Sequence, residues 1–128
     1  MMEQLIKNYA EFHDALVLNV EHKTNIAVKN ASFEASSQEV ILVLSCYRSN
    51  TYGEKDMISI KFSEVEAFQY SKLDDLVTSL FIGMEHDFYV LDFDPIITSD
   101  KVGAWLTKRN LDSKLSITFK TLTYAIIG

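Results

Sequence analysis

The chain has 128 residues, a net charge of −6 and a hydrophobic fraction of 48%. A chain this long buries about two-thirds of its unfolded surface, enough for one core without staples, so residues 1–128 are read as one globular domain. The acidic balance argues against nonspecific nucleic-acid binding and against anionic membranes, both of which need basic surfaces, and it would attract a basic protein or a cation.

Residues 2–12 place Leu5, Ile6, Tyr9 and Phe12 at the spacing of a short amphipathic helix. The opening residues lack the layout of a signal peptide, and the longest uncharged stretch, 76–84, is too short to span a bilayer. A cytoplasmic protein is expected. Leu16, Leu18 and Val20 then alternate with polar neighbours as a strand does, Thr24-Asn25 is a candidate turn, and 26–29 would answer as a second strand. Residues 36–39 are a polar break. Residues 40–48 read as a strand with both faces apolar, hence a central one. The single cysteine, Cys46, sits in that run and is expected to be a small core residue.

Residues 49–54 form the clearest turn signal. Ile58, Ile60 and Phe62 alternate with Ser59 and Lys61, and 65–70 are expected to continue the sheet after a bend. The spacing predicts a helix over 71–83: Ser71 as cap, Asp74 and Asp75 in the first turn, Leu73, Leu76, Val77, Leu80 and Phe81 as the apolar stripe, Gly83 at the end. Residues 86–94 alternate again as a strand limited by Pro95. Residues 99–108 are predicted as a second short helix burying Val102, Trp105 and Leu106. Leu115, Ile117 and Phe119 alternate as a final strand that 122–127 would extend. The expected fold is α+β: a mainly antiparallel sheet with a short N-terminal helix and one or two further helices packed on it.

Two His-Asp pairs, His13-Asp14 and His86-Asp87, suggest metal or acid–base chemistry. Adjacent residues of a strand face opposite ways, so neither pair is expected to chelate one ion. Asp92 and Asp94 lie two apart and would share a strand face, as an acid–base pair or a solvated edge. Nucleophile motifs and Gly-rich phosphate loops are missing. No catalytic, cofactor or metal residue is therefore assigned, and no cofactor is expected. Tyr47, Arg48, Tyr52 and Lys55 form a basic-aromatic cluster about the turn, of the residue types favoured at interfaces. The candidate functional surface is His13, Asp14, Tyr47, Arg48, Tyr52, Asp92 and Asp94.

The opening Phe12-His13-Asp14-Ala15 before an alternating strand, together with Ile58-Ser59-Ile60-Lys61-Phe62-Ser63-Glu64-Val65, resembles a family of small bacterial immunity proteins of the polymorphic-toxin type, many of them uncharacterised. The resemblance covers the first half of the chain. It implies a non-enzymatic protein that binds and neutralises a partner toxin, and it supplies no catalytic residues. A basic toxin would be steered by the carboxylates. The expected function is a protein-binding module of this kind. The alternative is a small-ligand-binding domain with a cavity under a curved sheet, behind Trp105 or Tyr89. An enzyme would require His13, His86, Asp92 and Asp94 to converge. An unpaired edge strand would permit a homodimer.

Overall fold

The computed structural model describes residues 2–29, 32–72, 76–99 and 102–128, and the side chains of 25–29 and 32–36 stand outside that description. Helix α1 (Met2–Asn8) is followed by a tight turn at Ala10–Phe12. Strands β1 (Leu16–Lys29), β2 (Ser32–Tyr47), β3 (Lys55–Ser63) and β4 (Ala67–Tyr70) come next. The second half carries β5 (Phe81–Glu85), β6 (Phe88–Asp92), β7 (Ile96–Ser99), β8 (Trp105–Lys108), β9 (Leu115–Phe119) and β10 (Thr121–Ile126). One four-stranded sheet has the order β1-β2-β3-β10, a second has β4-β9-β6-β5, and β7-β8 form a separate hairpin. All these pairings are antiparallel. No helix of the described residues is long and apolar enough to cross a membrane.

A helix of seven residues is marginal in water without tertiary help. Leu5 and Ile6 are buried, each worth about 1.5–3 kcal/mol. Glu3 in its first turn and Lys7 in its last complement the helix dipole. Ser49, from the β2–β3 turn, closes the C-terminal end: its hydroxyl donates to the Lys7 carbonyl and its amide donates to the Asn8 carbonyl at 2.8 Å. The chain then takes a left-handed course, with Ala10, Glu11 and Phe12 at φ 52°, 55° and 58°. Such backbone costs roughly 1–2 kcal/mol per residue for an L-amino acid. Complete burial of Phe12, whose ring lies 5.7 Å from that of Phe93, offsets this cost.

β2 is central, as expected. Val40, Leu42, Leu44 and Cys46 are buried on one face, while Ile41, Val43 and Tyr47 are half-buried on the other. Ile58, Ile60 and Phe62 of β3 join the same core, and Leu91, Leu115, Ile117 and Phe119 enter it from the second sheet. The two sheets are joined at one corner. After β3, Glu64 adopts φ 52° and the chain bends into β4; beside it β9 passes through Lys120 into β10. The Lys120 amide donates to the Ser63 carbonyl at 3.3 Å and the Glu66 amide to the Thr118 carbonyl at 2.8 Å, so the paired ribbon stays bonded through the bend. The rings of Phe62 and Phe119 meet edge to face at 4.8 Å inside it.

Several expectations are corrected. Thr24-Asn25 is not a turn: it lies inside β1, with only a register irregularity between Asn25 and Ile26. The polar residues 36–39 lie within β2, where Gln38 and Glu39 pair with Thr24 and Lys23. Among the described residues, positions 32–38 of β2 have β1 alone as their neighbour in the sheet. Residues 65–70 do follow a bend, but they enter the second sheet, and 121–126 form a separate strand of the first.

The two further helices are not formed among the described residues. Of the predicted helix 71–83, residues 73–75 lie outside the description, Val77 makes an isolated bridge to Ala15, and 81–85 are strand β5. The Phe81 ring lies over Gly83, where an added Cβ would come within 2.8 Å of it, so this glycine serves a packed strand rather than a helix end. Of the predicted helix 99–108, Ser99 ends β7, residues 100–101 lie outside the description, Gly103 stands at φ 84°, and 105–108 are strand β8. Glycine inside a helix would cost about 1 kcal/mol. Trp105, expected to be buried, is 79% exposed.

Replacing Phe119 by Ala is expected to cost about 3–5 kcal/mol in urea unfolding, because it empties the corner. Leu111→Ala, on an exposed loop, should stay within about 0.5 kcal/mol.

Candidate functional site

The inner face of the second sheet is covered toward its middle, where Leu91 and Ile117 are fully buried. The cover ends at the edge strand β5. Register places Ile82 opposite Leu91 and Met84 opposite Tyr89, on that same face, yet Ile82 is 44% and Met84 65% exposed. Helix α1 stands across from them. Between helix and strand lies a groove of about 750 Å³ lined by Met2, Ile6, Ile82, Met84 and Tyr89, with Glu3, Lys7 and Glu11 as its charged residues. The sequence pattern did not single out Ile82 or Met84. Tyr89, which the small-ligand alternative sets beside a cavity, is partly exposed and lines this groove.

Four of the seven candidate residues do meet. His13, Asp14, Tyr47 and Arg48 surround a separate depression of about 290 Å³ with Ala10, Thr51 and Gly53. His13 Nδ1 donates to the Thr78 carbonyl at 2.8 Å. The His13 Nε2 to Asp14 Oδ2 distance is 3.6 Å. The pair is therefore not splayed to opposite faces as strand geometry predicts, because Asp14 lies in a turn at φ 61°. Tyr52, on the same turn as Arg48, is fully exposed, and the Lys55 ammonium lies over the Tyr47 ring at 4.6 Å.

Arg48 is engaged beneath that surface. Its Nε donates to Asp56 Oδ1 at 2.9 Å and its Nη1 to Glu54 at 3.0 Å. The hydroxyl of Tyr9 donates to the other Asp56 oxygen at 2.9 Å, which ties the helix segment to β3. Burial, followed by the hydrogen bond to Asp56, pushes the Tyr9 phenol up to about 12. Burial and then the Asp56 charge push the Cys46 thiol up to about 12 as well. A thiol so shifted carries almost no thiolate at neutral pH and is no nucleophile. The Asp56 hydrogen bond likewise raises Arg48.

Asp92 and Asp94 are placed differently from expectation. Asp92 is completely buried and contributes nothing to the surface. Its carboxylate accepts from the Asp94 amide at 2.9 Å, the Ser113 hydroxyl at 2.6 Å and the Asn110 amide at 2.7 Å. Asp94 accepts from the Lys114 amide at 3.0 Å. Both carboxylates hold the segment 110–114 in place rather than facing solvent as a pair. His86 stands in the two-residue turn between β5 and β6. Among the described residues, no group of three or more His, Cys, Asp or Glu is placed to hold a metal ion.

The chain matches no protein-family model, no curated protein and no solved structure. The site therefore rests on its own geometry.

Tyr9→Phe should cost about 1–3 kcal/mol, since Asp56 loses a buried donor. The phenol binds its proton more tightly when folded than at its ordinary value of 10.0. This contribution is thus full below pH 10 and is lost as pH rises toward 12. In a tyrosinate absorbance titration, one of the six tyrosines should ionise near pH 12 and be missing from the variant. Asp92→Ala strands three donors and should cost about 3 kcal/mol or more, with faster hydrogen exchange at the Asn110 amide. Asp94→Ala should cost about 1 kcal/mol.

Proposed function

We propose that this chain is a non-enzymatic protein-binding module that docks a basic polypeptide in the groove between α1 and β5. The observation that carries the reading is the uncovered inner face of β5, where Ile82 and Met84 continue a core surface into solvent beside Tyr89. Contiguous exposed apolar surface of this kind marks interaction sites. Methionine adapts its shape to a partner, and tyrosine is enriched among interface hot spots. The net charge of −6 favours a basic partner. An immunity protein that neutralises a basic toxin domain is the sharpest form of the reading, in keeping with the sequence resemblance. The depression at His13, Asp14, Tyr47 and Arg48 is a second contact region, with Tyr52 exposed beside it.

A second reading, a small-ligand site, is favoured by the volume, since about 750 Å³ falls within the roughly 300–1,000 Å³ of small-molecule pockets. Such sites close over their ligand and converge polar groups on it. The groove instead lies at the surface, and its charges, Glu3, Lys7 and Glu11, all belong to α1 and the turn after it.

Affinity capture from the source lysate with the wild-type chain and with Ile82→Asp tests the proposal. The expected result is a stoichiometric basic polypeptide, identified by mass spectrometry, that is retained by the wild type, weakened by high salt and lost in the variant. Identical captures by the two proteins, both shown folded by circular dichroism, would overturn it.

A further inference from the structure

Strand β5 is an outer strand of its sheet, in the order β4-β9-β6-β5. Among the described residues its backbone pairs with β6 alone. An unpaired edge offers a row of amides and carbonyls to another chain. Natural edges are commonly blunted by inward-pointing charges, proline or bulges. The sequence Phe81-Ile82-Gly83-Met84-Glu85 has no proline, its register with β6 is unbroken, and its inward residues are Ile82 and Met84. The acidic end residue, Glu85, is ion-paired with Arg109.

Resting on the groove being the docking surface, we infer that the partner enters as a β-strand: an extended segment adds to the free edge of β5. Main-chain hydrogen bonds then supply affinity, and alternate side chains supply specificity. Those on the inner face fall beside Ile82 and Met84 and opposite α1, so the central ones are apolar. Those at the ends pass the rim formed by α1 and the turn after it, which holds two carboxylates, Glu3 and Glu11, against the one ammonium of Lys7, so they are basic. Charge also decides against a second copy of this chain, which would bring the same acidic rim and a further net charge of −6 to the joint.

The probe is a blocked heptapeptide, Lys-Thr-Val-Thr-Val-Thr-Lys, whose Lys and Val side chains share one face. Titration calorimetry with the intact chain should show binding that weakens with salt. The same peptide with Glu in place of Lys should bind at least tenfold more weakly. N-methylation of alternate amides separates strand addition from other docking: methylating one set (Thr) or the other (Lys and Val) should abolish binding in one case only, because one set faces β5. Hydrogen exchange should show new protection at alternate amides of 81–85. Met84→Lys, at an exposed position, should bind at least tenfold more weakly while its thermal melt stays near that of the wild type. Equal binding by both methylated peptides would overturn strand addition while leaving the groove as the docking surface. A wild-type dimer in sedimentation that Met84→Lys dissociates would overturn it in favour of self-pairing. Absence of peptide binding overturns the strand mode, and it overturns the groove reading too only if Ile82→Asp also leaves capture unchanged.

Discussion

The fold depends on the corner at which two neighbouring strand pairs leave one sheet for the other. β3 and β10 run side by side in the first sheet, and their continuations β4 and β9 run side by side in the second. Because both chains bend at the same level, no hydrogen-bonded ladder is torn; the Lys120–Ser63 and Glu66–Thr118 bonds span the turn. A residue with positive φ at the bend, Glu64, gives the local kink that bulges give in sheets. The inside of the bend is where Phe62, Phe119 and Val65 are buried together. Two small sheets thereby share one core, and neither has to bury its inner face alone.

What the corner does not cover has to be covered by something else. Helix α1 closes part of the open side, pinned by Ser49 at its end and by Tyr9 to Asp56. The helix is only seven residues long, and the sheet edge outlasts it. The groove is the remainder, an apolar face left uncovered among the described residues. Its rim carries more acid than base because Glu3 of the helix and Glu11 of the turn after it are both exposed, against the single ammonium of Lys7.

Much of the strand structure could be read from alternation: at 57–62 one face meets the core and the other does not, and at 115–119 apolar residues alternate with Ser116 and Thr118 although both faces are buried. The misread helices had a common cause. Over 76–83 the apolar residues are dense enough to satisfy a helical and an extended period at once, and the pairing that decides between them, Ile82 with Leu91, is tertiary. At 99–108 the apolar residues Trp105 and Leu106 suggest a buried face, although they lie on a hairpin that joins neither sheet among the described residues. The site shows the same limit. Tyr47 and Arg48 were singled out because they flank a turn, which is local information. Asp56 and Tyr9 are 47 positions apart, and nothing local marks their bond. Asp92 looked like a surface carboxylate because charge in a strand usually means exposure. Ile82 and Met84 were not marked at all, because pattern cannot distinguish an apolar residue that is covered from one that is not.

Trp105 is the chain's one tryptophan, and it sits on the β7–β8 hairpin, outside both four-stranded sheets. Its indole is bathed in water in the native state, so its emission is already that of a solvated ring. Intrinsic fluorescence will therefore follow the hairpin and remain nearly blind to loss of the core. In a single cooperative transition that signal would change little in amplitude yet share its midpoint with circular dichroism, and a different midpoint would mean that the hairpin opens separately from the core.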